Sequence, residues 1–129
     1  RKINDSMPIH VLSRIRTIMK DNNISDISRI GLYGLTYKEN VDDTRESPTL
    51  QLLERMEEHL AFGLKVYDPF IKEALVHGQV LDFDEFIKGI DVVVIMVGHD
   101  HIKFNMELLK NKLVLDTKNI CSFEGVYKL

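Results

Sequence analysis

The sequence holds one cysteine, Cys121, in 129 residues, and no tryptophan. A lone thiol permits neither an internal disulfide nor a cysteine-based metal cluster. Charge of one sign is scarce too, since 17 Lys and Arg stand against 20 Asp and Glu for a formal net charge of −3. That balance argues against a general nucleic-acid binder, whose footprint is a basic face. Long apolar runs are missing. The longest, Val92 to Val97, is far too short to cross a bilayer, and the N-terminus has no apolar signal-peptide core. A cytoplasmic setting without a membrane partner is the default expectation. No internal repeat, low-complexity tract or linker interrupts the chain. What remains, 44% apolar and 29% charged residues, is the composition of one soluble globular domain long enough for a real core. The chain opens on Arg1 rather than methionine, and its first segment reads as a continuation, so a fragment is expected.

Apolar periodicity supplies the elements. From Pro8 to Met19, Val11, Ile15 and Ile18 or Met19 fall on one stripe with Arg14, Arg16 and Lys20 outside it, which predicts an amphipathic helix. Asp21-Asn22-Asn23 ends it with turn formers. Four short apolar, β-branched segments then read as buried parallel strands: Arg29 to Tyr33, Leu64 to Tyr67, Val92 to Val97 and Leu113 to Leu115. Helical patterns separate them. Leu50, Leu53, Met56 and Leu60 form a stripe from Pro48 to Phe62, Phe83, Phe86 and Ile87 a shorter one, and Met106 and Leu109 another. Strands alternating with helices predict an α/β fold, a doubly wound, Rossmann-like parallel sheet with helices on both faces.

The unusual chemistry is concentrated between the first strand and the second helix, in Gly34 to Pro48. Ser47 can cap free N–H groups, and Pro48 suits a first helical position. Open α/β sheets bind ligands beyond the carboxyl ends of their strands, where helix N-termini favour anions. Tyr37 and Lys38 stand at that edge, an aromatic ring for a base and an ammonium for phosphate. Their bland alternative is a core tyrosine beside a solvated lysine. Asp42, Asp43 and Arg45 read as a loop latch, with the guanidinium fork satisfied by one or both carboxylates, rather than as acid–base or metal groups. Lys118, after the last strand, delivers another cation to the same edge.

Gly31 and Gly34 do not make a dinucleotide fingerprint, because the helix starts well over ten residues beyond Gly31. Asp68-Pro69 reads as a strand-ending turn, Gly98-His99-Asp100-His101 as loop residues beside a ligand or a domain outside this chain, and Cys121 as a small semi-buried residue. No catalytic residue and no metal site are expected in this chain.

Five ordered blocks carry a resemblance that covers nearly the whole sequence. They are Asn4 to Pro8, Gly31 to Lys38, Asp42 to Pro48 with its Asp-Asp-Thr-Arg-Glu-Ser-Pro pattern, Val66 to Pro69, and Leu115 to Asn119. Together they resemble the C-terminal nucleotide-sugar-binding domain of the NAD-dependent UDP-sugar 6-dehydrogenases, the UDP-glucose/GDP-mannose dehydrogenase family. The pattern looks closest to the branch acting on N-acetylated hexosamines such as UDP-N-acetylmannosamine. The resemblance implies that residues 1–129 hold a UDP-sugar, with 1–25 a connecting helix, and that Tyr37, Lys38 and Lys118 contact it. It also implies NAD bound by domains absent from this chain, those domains as partners, and a homo-oligomeric parent that oxidises a C6 hydroxyl to a carboxylate. The family usually has arginine where Lys118 stands, so a bidentate phosphate contact is lost here. Two other readings are a receiver-like phosphoacceptor domain and a non-catalytic interaction module. The first is weakened by Asp42 lying eight residues past Gly34.

Overall fold

The computed structural model describes residues 6–58 and 63–129. Helix α1 spans Ser6–Asp21, with Pro8 in its first turn, where a missing N–H costs nothing. Val11, Ile15 and Ile18 are fully buried along its inner stripe. Asn22 closes the helix by donating its side-chain amide to the Ile18 carbonyl at 2.8 Å, and Asn23 turns the chain away at φ 56°.

Five parallel strands follow: β1 Ile30–Tyr33, β2 Lys65–Tyr67, β3 Val92–Ile95, β4 Leu113–Asp116 and β5 Val126–Lys128. Their spatial order is β2-β1-β3-β4-β5. Between them lie α2 Pro48–Glu58, α3 Phe83–Lys88, and two one-turn helices, α4 Asp100–Lys103 and α5 Met106–Leu109. Alternation along the strands sorts the core into two halves. Ile30, Leu32, Val66, Val92, Val94 and Leu115 pack against α1 and α2. Tyr33, Tyr67, Val93, Ile95 and Val114 pack against α3, α4 and α5. The sheet is covered on both faces, as the alternation of patterns predicts.

Ser47 accepts the Leu50 N–H on its hydroxyl at 3.3 Å, so α2 starts at Pro48 with the expected cap. Leu60 and Phe62, assigned by periodicity to the same helix, lie outside the described residues, as do Asn4 and Asp5 of the first motif block. Two differences from the sequence expectation stand out. Strand β3 stops at Ile95, and Met96 and Val97 continue as buried chain outside the ladder. Strand β5 carried no apolar signal, because its three residues sit at the sheet edge and none is fully buried.

Candidate functional site

In a parallel sheet every strand ends at the same edge, so the loops after β1, β2, β3 and β4 meet there. The loop after β1 leaves from between β2 and β3. Its first residue must be glycine: Gly34 has φ +106°, and a Cβ there would lie 2.6 Å from Val97 Cβ. The Gly34 N–H donates to the Tyr67 carbonyl at 2.8 Å, and its carbonyl accepts the hydroxyl of buried Thr49 from α2. Gly31 and Gly34 therefore serve packing and a turn, with residues 34–47 still to pass before α2.

Beneath the loop runs a buried polar chain. Asp68, just past β2, accepts the Leu35 N–H at 2.7 Å and the Phe70 N–H at 2.8 Å, and its Oδ2 lies 2.9 Å from His99 Nε2. Both side chains are fully enclosed. Burial alone would raise the Asp68 carboxyl, but the hydrogen bonds from His99, Leu35 and Phe70 outweigh it and hold the group below its ordinary value. His99, just past β3, accepts the Asn40 N–H on Nδ1 at 2.8 Å, and Asn40 Oδ1 accepts the Asp100 N–H at 3.0 Å. The Asp68–His99 bond thus crosses over the end of β1. The sequence reading took Asp68 for a turn residue and His99 for a loop residue; neither Asn40 nor Thr36 was singled out. Asp68 directly follows an apolar strand and His99 follows the apolar run Val92 to Val97 with only Gly98 between, which was the available signal.

Above this chain, Tyr37 is half exposed and Lys38 is exposed. Their backbone is held while their side chains face outward. The Tyr37 N–H donates to the Asp43 carbonyl at 2.6 Å, and the Thr36 hydroxyl donates to the Lys38 carbonyl at 2.9 Å. Arg45 meets Asp43 in a two-point contact, Nε to Oδ1 at 3.0 Å and Nη2 to Oδ2 at 2.8 Å. The Arg45 hydrogen bonds pull the Asp43 carboxyl down to about 2. This pair spans two residues, leaves the Arg45 side chain 88% exposed, and does not include Asp42, which is itself exposed.

Lys118 sits on the turn after β4 and is exposed. Asp116 shapes that turn by accepting the N–H groups of Lys118 at 3.0 Å, Ile120 at 2.8 Å and Cys121 at 2.8 Å. Lys128 of β5 reaches the same carboxylate at 2.9 Å. Gly98 lies between the two cationic loops, since a Cβ on it would stand 3.8 Å from Lys118 Cβ while its neighbour His99 holds Asn40. Tyr37, Lys38 and Lys118 are thus carried by two loops that converge on Gly98-His99. His101 is engaged elsewhere, with Nδ1 2.9 Å from the Tyr33 hydroxyl and the two rings stacked at 5.9 Å. Cys121 is buried, and that burial, with Asp116 close by, pushes its thiol up to about 11. It is a poor nucleophile at neutral pH.

Residues 31–123 match the UDP binding domain of the UDP-glucose/GDP-mannose dehydrogenase family. The chain belongs to that family. A UDP-N-acetyl-D-mannosamine dehydrogenase from Methanocaldococcus jannaschii is 38% identical over 96% of this chain, which spans 29% of that relative's length. An NDP-N-acetyl-D-galactosaminuronic acid dehydrogenase from Ralstonia nicotianae is 29% identical over 98% of the chain and 30% of its own length. The solved structure of a UDP-N-acetyl-mannosamine dehydrogenase from Staphylococcus aureus aligns with a TM-score of 0.74 at 31% identity, over 97% of this chain and 31% of that one. The chain therefore corresponds to under a third of these relatives. Among the described residues no helix is long and apolar enough to cross a membrane. A receiver-like reading finds no support at the site, for Asp68 is enclosed and both its oxygens are engaged.

Proposed function

We propose that this domain holds the UDP moiety of a UDP-sugar for an NAD-dependent 6-dehydrogenase, one acting on an N-acetylated hexosamine such as UDP-N-acetylmannosamine. Tyr37 offers a ring to the base, and Lys38 and Lys118 offer ammonium groups to the diphosphate. The observation that carries this reading is that two loops, each bearing an exposed lysine, flank Gly98-His99 at the carboxyl edge of a parallel sheet. That edge is where such sheets take anionic ligands, and the family match names a UDP binding domain. Arg45 and Asp43 give the loop its shape, with Asp42 beside them as a solvated acid. NAD and the reacting sugar carbon belong to other domains of the parent, so the chain alone performs no oxidation.

Calorimetric titration tests the proposal. UDP binds weakly and saturably, NAD does not bind, and UDP-sugar mixed with NAD yields no NADH. NAD binding in the absence of UDP binding overturns it.

A further inference from the structure

The hydrogen bonds around His99 fix where its proton sits. A backbone amide can only donate, so Nδ1, 2.8 Å from the Asn40 nitrogen, carries a lone pair. The Thr36 hydroxyl has one proton and gives it to the Lys38 carbonyl at 2.9 Å, so it accepts at His99 Nε2, 3.3 Å away. Asp68 Oδ2, at 2.9 Å from the same nitrogen, is a carboxylate oxygen and also accepts. Two independent partners thus require an N–H at Nε2, and the amide requires none at Nδ1. The ring is neutral and in a single tautomer. No water reaches it, because the side chain is fully buried.

Its acceptor end holds the loop that carries Tyr37 and Lys38. Asn40 adopts φ 60°, a left-handed backbone that an asparagine tolerates at a cost. It is gripped twice, by His99 at its N–H and by the Asp100 N–H at its side chain. We propose that His99 is a positioning residue for UDP: as an Nε2–H imidazole oriented by Asp68, it fixes Asn40 and thereby the outward direction of Tyr37 and Lys38. The inference rests on the UDP-binding reading above.

Two substitutions separate the ends of the ring. His99→Gln keeps a donor near Asp68 but removes the acceptor for Asn40; His99→Asn places a carboxamide oxygen near the old Nδ1 but leaves Asp68 without its side-chain donor. The expected results cross. His99→Gln loses about tenfold in UDP affinity, the worth of one net hydrogen bond, with the smaller fall in melting temperature. His99→Asn shows the larger fall in melting temperature and recovers most of that affinity. Loss of affinity in step with loss of stability, or no loss in His99→Gln, overturns the inference. Should His99→Asn fail to fold, nitrogen-15 spectra of the unaltered chain decide: Nε2 protonated and Nδ1 bare is required, and an Nδ1–H or charged ring at neutral pH overturns it. If the unaltered chain binds no UDP, the functional reading fails instead. The clamp is then read by faster amide exchange at Asn40 in His99→Gln, and unchanged exchange there counts against it.

Discussion

Lys38 separates binding from folding at a single residue. Its ammonium is exposed, while the part of it that matters to the loop is the carbonyl bonded to Thr36. Lys38→Ala keeps that carbonyl. UDP affinity should fall by about 1.5–3 kcal/mol, the range for a hydrogen bond to a charged group, with stability moving by less than about 0.5 kcal/mol as for other surface changes. Paired calorimetric titration and thermal melts check both halves. The edge position of Tyr37, Lys38 and Lys118 was legible in the sequence because each closely follows an apolar strand segment, whereas the UDP contact expected of them came from the family resemblance. Asp68 and His99 were not, because their partnership depends on β2 and β3 flanking β1, and strand order is a property of the sheet that no local window contains.

At the scale of elements, Gly31 records how closely α3 lies on the sheet. A Cβ there would meet Ile90 Cδ1 at 2.5 Å and Phe86 Cζ at 2.7 Å, and both side chains belong to the buried core. Gly31→Ala should destabilise the fold by about 1–3 kcal/mol through overpacking. Denaturant unfolding measures the loss, and the folded fraction should bind UDP as before, since α3 lies on the face opposite α2. Strands β1 to β4 could be read in advance because burial on both faces makes them short continuous apolar runs, and the long helices because burial of one face imposes a period. Helix α5 announced itself only through the pair Met106 and Leu109, whereas the four residues of α4 and the three of β5 are too few to show a period, and β5 gains its ladder only from β4.

For the whole molecule, Asp68 and Asp116 set the response to acid. Burial works to raise each, and the hydrogen bonds each accepts more than offset it, so both carboxyls titrate below their ordinary value in the folded chain. Depressed carboxyl values mean that the unfolded chain takes up protons first. The stability they contribute is complete above the unfolded carboxyl value of about 3.9 and is lost as pH falls through the folded values beneath it. Burial also holds the His101 imidazole below its ordinary value, so the unfolded chain protonates there first. Melting temperature should therefore ease downward as pH falls below about 6.5 and drop more steeply below about 4. Asp68→Asn should start lower and drop less, which melts across the same acid range would record.

The bond from Asp68 to His99 also has a mechanical meaning. Leu35 is seated on Asp68, beyond the end of the strand to one side of β1, and Asn40 on His99, beyond the strand to the other, so Tyr37 and Lys38 form a span resting on two piers. The bond itself is the tie beam between those piers, set below the span and out of reach of solvent. A deck so supported does not tilt unless its foundations move. Displacement of Asp68 relative to His99 would therefore move the backbone of Tyr37 and Lys38, which is anchored to one through Leu35 and to the other through Asn40.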